Sequence, residues 1–517
     1  MEQLSPQDSQ FLYVESENNL THVTFITIFD PSTVPGKTPV RFDDIVRHID
    51  ERLGMNPLLK RRLVRVPLEL DYPYWAEDPY FDLKYHLRNE RLPEPGDWRE
   101  FCIYMARYHS RPLNMHRPLW EMLILQGLDN IEGLPKGSFG IATKIHHSAV
   151  DGASLVQFTY AITDSDNIGT PMLPLDQSSP SPGRSPTWLE MTGRAAWNRL
   201  TSPARFGAAL VRSMPSIYQA AQEVVGVGKA GARAHPVPHT RFNVELSPHK
   251  VFDATVFALD DLKLIKRAVE GSTINDVVLT ICGGALRTYL SKHKELPEEP
   301  LVACAPVNVR PGGSADTSTP GNHLSAMTTP IHTNITDPLE RLKAIKASTA
   351  ASKDAHSGLP VRLMTDLTQH IPAATQALAS RFMVNSGWAS KICNLLVSNF
   401  PGPQQPLYMQ GAKTWGNYGL APLGDGIGLF IATPSFDGKM TFNVTSTREI
   451  MPDCLFFVDC LENAFEELLA AAAPPATTNA KAKVEKPKVA SRKKQKVRPT
   501  SRARTPQKKA STTKKTM

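Results

Sequence analysis

The sequence predicts a mixed α/β protein of two halves, joined by a helical crossover and followed by a basic tail. Three observations carry that expectation. Strand-like and helix-like segments alternate on both sides of a Pro/Ser-rich stretch at 176–186, DQSSPSPGRSP. The segment 187–231 has apolar residues at helical spacing (Trp188, Met191, then Phe206, Leu210, Val211) and is broken at Pro203 and Pro215. Beyond residue 471 the composition shifts abruptly to Lys, Arg, Ala, Pro, Ser and Thr, with no aromatic residue. The expected boundaries are 1–182, a linker over 183–240, 241–473 and a tail over 474–517.

Each element follows from its local pattern. In the first half, 21–29 (THVTFITIF) is rich in β-branched and aromatic residues and reads as a strand. Segments 42–53 and 98–109 read as helices, and 123–126 and 138–145 as strands. In the second half, 260–269, 275–292 and 338–355 read as helices, 302–309 as an apolar strand and 395–398 as a short buried strand. Segments 427–434 and 440–447 flank Asp437-Gly438, a hairpin signal. A helix over 453–472 closes the block.

Composition narrows the class. With 517 residues, 41% hydrophobic and 21% charged, the chain can bury a large core. No apolar run is long enough to span a membrane. The first ten residues lack a basic region followed by an apolar one, so no secretory signal is expected. Six scattered cysteines without a CxxC pair point to a reduced, cytoplasmic setting and buried thiols. The net charge of +8 is a property of the tail: residues 481–517 hold 15 Lys and Arg against Glu485, so the remainder is net negative. Such a tail is expected to be disordered. It would attract anionic lipid or DNA without sequence preference.

The densest chemistry lies at Lys144-Ile145-His146-His147-Ser148-Ala149-Val150-Asp151-Gly152. It follows the strand-like SFGIATKI and precedes the helix-like ASLVQFTYAI, and loops at strand ends place functional groups on a rigid frame. An imidazole there can serve as a general base near neutral pH. Asp151 can fix the loop through a cation, and Gly152 permits a tight turn. Neighbouring residues on extended chain point to opposite faces, so one of His146 and His147 faces the site; residues alone leave the choice open. The spacing lacks common zinc patterns and no second dense cluster supports a metal, so none is expected. Neither a GxSxG elbow nor a Walker-type phosphate loop is present.

HHxxxDG resembles the signature of the CoA-dependent acyltransferase superfamily, which includes peptide-synthetase condensation domains. The surrounding blocks are similar to those of the bacterial wax ester synthase/acyl-CoA:diacylglycerol acyltransferase family. They run from Leu4-Ser5-Pro6-Gln7-Asp8 through Pro118-Leu119-Trp120-Glu121, Asn275-Asp276-Val277-Val278-Leu279, Pro306-Val307-Asn308-Val309-Arg310 and Gly321-Asn322-His323-Leu324-Ser325 to Ser398-Asn399-Phe400-Pro401-Gly402-Pro403. The resemblance extends to about residue 472.

That resemblance implies two similar subdomains in a pseudo-dimeric arrangement around a central channel. It implies transfer of a fatty acyl group from acyl-CoA, a co-substrate rather than a bound cofactor, to a fatty alcohol or diacylglycerol. His147 is then the general base and His146 its motif neighbour. Asp151 is held by an arginine, with Arg310 the candidate. Asn275 either donates to the developing oxyanion or, with Asp276, caps the following helix. Trp120, with Pro118 and Leu119, reads as packing, while Asn399, Pro401 and Gly402 shape a loop crossing between the halves. The expected location is cytoplasmic, in peripheral contact with the inner membrane or lipid inclusions. Two rival readings are a condensation-type enzyme acting on a hydroxylated secondary metabolite, and a tail-driven nucleic-acid or lipid-inclusion binding protein.

Overall fold

A computed structural model of the chain describes residues 2–37, 39–55, 57–150, 158–172, 187–198, 237–308, 324–357 and 372–473. The first half contributes β1 (Glu2–Gln3), α1 (Pro6–Tyr13), β2 (His22–Asp30), α2 (Phe42–Arg52), β3 (Arg61–Val64), β4 (Tyr74–Glu77), α3 (Leu83–His86), β5 (Leu87–Arg91), α4 (Trp98–His109), β6 (Trp120–Gln126) and β7 (Phe139–His146). The second contributes β8 (Lys250–Ala258), α5 (Leu259–Ala268), α6 (Ile274–His293), β9 (Val302–Asn308), β10 (Leu324–Pro330), α7 (Pro338–Ser357), α8 (Ala373–Asn385), β11 (Leu395–Pro401), β12 (Tyr408–Met409), β13 (Ala412–Leu420), β14 (Leu429–Phe436), β15 (Lys439–Thr447) and α9 (Cys454–Ala472). The strands and helices expected within 21–145 and 260–472 are present among the described residues, with ends that differ by a few residues.

Among the described residues the strands form two six-stranded sheets and a small sheet β1-β4-β3. The first large sheet has the order β12-β13-β2-β7-β6-β5 and the second β10-β9-β11-β14-β15-β8. Two strands of the first sheet therefore come from the second half. β13 runs antiparallel to β2, with Leu420 opposite Thr24. Local pattern does not announce β13, because Gly416, Asn417 and Gly419 weaken its strand propensity. The free edge of β2 recruits it. Residues 1–476 form one compact unit.

Helix faces account for the layers. On α2, Ile45, His48, Ile49 and Arg52 are buried at helical spacing, and the helix covers one face of the first sheet. On α4, Asp97 caps the start by accepting the Glu100 N–H. Its Phe101 and Met105 pack on Leu123 and Leu125 of β6 and on Phe252 and Ala254 of β8. Thus α4 lies between the two large sheets, and Trp98 Nε1–H donates to Asp253 Oδ1 at 2.8 Å. The second sheet carries α5, α6, α7 and α9 in a single core. Asp437 and Gly438 both have positive φ (43° and 72°) and close the β14–β15 hairpin, as a two-residue Asp-Gly turn demands.

Asn399 corrects an expectation. It lies in β11 opposite Thr433 of β14, and Pro401 likewise lies opposite Ser435, both within a parallel pairing and not in a connecting loop. A parallel partner is distant in sequence, so local reading ends the strand too early. The crossing starts at Gly402, whose N–H donates to Ser435 O at 3.0 Å. Residues 403–407 then lead to β12 in the other sheet.

Of the crossover linker, residues 188–198 are helical. Ala195 packs against Val66 and Tyr74, while Trp188, Leu189 and Trp197 are exposed. Phe206, Leu210, Val211 and the prolines at 203 and 215 lie outside the described residues, as does the tail 474–517. All six cysteines are buried and none is in a disulfide. No described helix is long and apolar enough to cross a membrane.

Candidate active site

β7 ends at His146, with His147 in the turn directly after it, and is buried along its whole length, because it lies between β2 and β6 and is covered on both faces. Register places Lys144 opposite Glu121 and Thr24, and His146 opposite His22. The Lys144 side chain is fully buried. Its Nζ lies 2.7 Å from Glu121 Oε1, donates to Tyr108 O and Arg111 O at 2.9 and 2.8 Å, and sits over the Tyr108 ring. Burial lowers the pKa of this amine, and the Glu121 carboxylate opposes that shift. The pair ties the motif strand to β6 and to the end of α4.

The PLW block supports the same strand. Leu119 O accepts the His146 N–H at 3.0 Å, and Pro118 bridges to Arg62. Trp120 is buried, its indole N–H donates to Leu59 O at 2.9 Å, and its ring stacks on His86. These are packing roles.

The two imidazoles are treated differently. His146 is wholly buried. Ser148 N–H reaches its Nδ1 at 3.1 Å, and Ser148 Oγ lies 2.7 Å from the same nitrogen. A backbone N–H only donates, so Nδ1 accepts and the proton sits on Nε2. That Nε2–H donates to Thr21 Oγ1 at 3.0 Å, and the Thr21 hydroxyl donates onward to Phe11 O at 3.0 Å. Glu15 Oε2 lies 3.5 Å from the same Nε2. Both ring nitrogens of His146 are therefore committed. His147 is only half-buried. Its backbone N–H donates to Thr21 O at 3.0 Å, and its ring stacks on Phe11 with centroids 4.0 Å apart. Behind the pair, His22 and His109 are buried; desolvation holds His22 well below the usual imidazole range and His109 at about 3.

The segment framing the pair is held by both halves. Ser5 caps α1 by accepting the Asp8 N–H, and its hydroxyl donates to Asp8 Oδ2 at 2.6 Å. From the second half, Gln376 of α8 donates to Pro6 O at 2.8 Å and Lys250 of β8 donates to Asn18 O at 2.8 Å. Beside this segment opens a cavity of about 340 Å³. Its walls include Leu12, Leu20, Leu113 and Met115, and Glu15, Arg65 and Arg381 supply charge. Glu15 links the cavity to His146.

Not every expected residue joins this group. Asp276 is buried at the start of α6, where its Oδ2 accepts from Thr273 N–H and Oγ1 and its Oδ1 from Thr349 Oγ1. The capping residue is Thr273, not Asn275, because the helix starts one residue earlier than expected. Asn275 is half-buried in the first turn and its side chain makes no hydrogen bond among the described residues. Asp151, Gly152 and Arg310 lie outside the described residues. Sequence reading missed Phe11, Thr21 and Glu15. The helix-start signal Ser5-Pro6 with Asp8 would have located α1 and hence Phe11.

Comparison with known proteins adds lineage to this geometry. Residues 4–278 match the wax ester synthase/diacylglycerol acyltransferase catalytic domain, and 320–469 match the C-terminal domain of the same family. The chain belongs to the wax ester synthase/diacylglycerol acyltransferase family. It is an acyltransferase with the two-domain fold of CoA-dependent acyltransferases. The probable diacylglycerol O-acyltransferase tgs2 of Mycobacterium tuberculosis is 30% identical over 492 residues, covering 90% of this chain and 99% of that protein. The wax ester synthase/diacylglycerol acyltransferase from Marinobacter aquaeolei VT8 superposes with a TM-score of 0.63 at 28% identity, covering 91% of this chain and all of that one. The first condensation domain of the calcium-dependent antibiotic synthetase shares the fold, with a TM-score of 0.54 at 14% identity over 92% of this chain and 98% of that one.

Proposed function

We propose that the enzyme moves a long-chain fatty acyl group from acyl-CoA to the hydroxyl of a fatty alcohol or a diacylglycerol, yielding wax ester or triacylglycerol. The observation that carries the reading is the division of labour between adjacent imidazoles. His146 is sealed and both its nitrogens are bonded, whereas His147 is half-exposed and its backbone is pinned. His147 takes the acceptor hydroxyl proton as the oxygen attacks the thioester carbonyl. The C–S bond then breaks, and the imidazolium returns the proton to the departing CoA sulfur. Such a base contributes about 10²–10⁴-fold. Asp151 and Arg310 are assigned to loop support, on family precedent alone.

The cavity beside α1 has a mixed lining, with Leu12, Leu20, Leu113 and Met115 beside Glu15, Glu17, Arg65 and Arg381, and that mixture suits an amphiphilic substrate. Exposed apolar side chains near the same segment favour peripheral contact with a membrane or lipid inclusion. Leu68, Trp188, Trp197, Leu378 and Phe382 are all more than 60% exposed, on elements tied to residues 66–71 by the Ala195 packing, the Asn198–Asp71 hydrogen bond and the Arg381–Glu69 pair.

The test supplies palmitoyl-CoA with hexadecanol or with diacylglycerol, follows thiol release and extracts the neutral lipids. Ester is expected with at least one acceptor, and His147→Ala should lose about 10²-fold or more of the rate while remaining folded. Absence of ester with either acceptor from folded wild-type protein refutes the lipid assignment. Full turnover by His147→Ala refutes the base.

A further inference from the structure

We propose that Phe11 is the surface that positions the reactive imidazole, and that His146 acts through Thr21 to hold Phe11 in place. The proposal rests on the reading of His147 as the base. The Phe11 and His147 rings lie nearly parallel, with centroids 4.0 Å apart and planes 16° from one another. A histidine side chain turns about two torsions, and the outer one is broad. A flat ring against one face limits both turns and keeps water from that face. The imidazole is thereby left with a narrow range of orientations before substrate arrives.

Phe11 has a fixed frame on both sides. At its carbonyl, the hydroxyl of Thr21 donates at 3.0 Å, and the same hydroxyl accepts from His146 Nε2–H. Meanwhile the carbonyl of Thr21 accepts the His147 N–H. One threonine thus locks the backbone of the stacking residue to the sealed histidine and the backbone of the reactive histidine to the residue that leads into β2. At the other end, α1 is anchored by its Ser5 cap, by Leu4 N–H donating to Pro73 O and by Gln376 donating to Pro6 O. This arrangement gives His146 a task that explains its burial: it is a positioning residue that touches no substrate. Thr21 and Phe11 share that role.

The test separates positioning from binding and from folding. Phe11→Leu keeps apolar bulk and removes the flat ring. It should lower kcat about tenfold to a hundredfold, the scale of a small misplacement of a reacting group. KM for palmitoyl-CoA and hexadecanol should stay within about twofold, since ground-state binding is untouched. Phe11→Tyr retains the ring and should restore most of kcat. Thr21→Val keeps the shape and deletes the hydroxyl relay; kcat should fall roughly threefold to tenfold. Combined with Phe11→Leu it should add little, because both act through one ring. Thermal unfolding establishes that each variant is folded. Wild-type kcat in folded Phe11→Leu, equal losses in the Leu and Tyr variants, or a loss confined to KM overturns the proposal. Should Phe11→Leu fail to fold, wild-type kcat in Thr21→Val overturns it instead. If His147→Ala also keeps full turnover, the base assignment has failed; if His147→Ala is inactive and Phe11→Leu is not, only the positioning role has failed.

Discussion

Replacing Glu121 by alanine removes the carboxylate that balances a fully buried charge. Lys144 Nζ keeps its two carbonyl partners, Tyr108 O and Arg111 O, but loses its counterion at 2.7 Å. Breaking a buried pair in this way costs about 3–5 kcal/mol. An independent ceiling comes from titration. The folded variant can escape by releasing the Lys144 proton, which at pH 7 costs about 1.36 kcal/mol for each of the roughly 3.4 pH units below a free lysine, or about 4.6 kcal/mol. The two figures agree. Spread over a unit of 476 residues, an unfolding entropy of about 2.1 cal/mol/K per residue turns the loss into a fall of roughly 3–5 °C in melting temperature. The sign with pH is fixed. Burial already lowers the folded pKa of Lys144, and removing Glu121 lowers it further. Between that value and the unfolded one, the unfolded chain binds more protons, so stability of the variant rises with pH. At pH 9 the ceiling is about 2 kcal/mol, and the deficit relative to wild type should shrink accordingly. Differential scanning fluorimetry at pH 7 and 9 measures both. An unchanged melting temperature at pH 7, or a deficit that does not narrow at pH 9, refutes the argument that Glu121 exists to balance Lys144.

Two further outcomes follow from packing and burial elsewhere. His48 is buried; its Nε2–H donates to Ile162 O while Gln410 Nε2–H donates to its Nδ1, and desolvation lowers its pKa to about 4. The unfolded histidine therefore takes a proton first as pH falls, so up to roughly 3 kcal/mol of stability present above about pH 6.5 is lost towards pH 4. A pH series of melting temperatures should show a shallower acid limb in His48→Gln, and identical limbs would count against the assignment. At Gly402 a Cβ would lie 2.4 Å from Ser435 O, a backbone atom that cannot step aside. Gly402→Ala should lower the denaturant midpoint by an amount equivalent to about 1–3 kcal/mol, and an unshifted midpoint would show that the crossing tolerates a side chain there.

Local chemistry made much of this protein legible. The strand over His22 to Asp30, the helices at α2, α4, α6 and α9 and the Asp437-Gly438 hairpin all follow from short-range periodicity and turn residues. Where the reading stopped short, the missing partner was distant. β11 extends to Pro401 because β14 lies beside it, and β13 is a strand because β2 offers an edge. Thr273, not Asn275, caps α6 because the preceding turn starts the helix one residue sooner. Such boundaries depend on hydrogen bonds that single residues do not announce.

The sequence by itself determined the histidine motif and its kin. The heptapeptide from His146 to Gly152 and the ordered blocks from Leu4 to Gly402 specify the family, and with it the class of reaction. Tertiary structure decided how the two imidazoles differ in burial and bonding, which is the difference the proposed mechanism uses. The two histidines are neighbours with the same chemistry, so nothing local separates them. His146 is withdrawn by a hydroxyl 125 positions away, and His147 is held by a ring from α1. Those contacts exist only once β2, β7 and α1 have packed, because the burial that seals one histidine and leaves the other half-buried is a property of the assembled core.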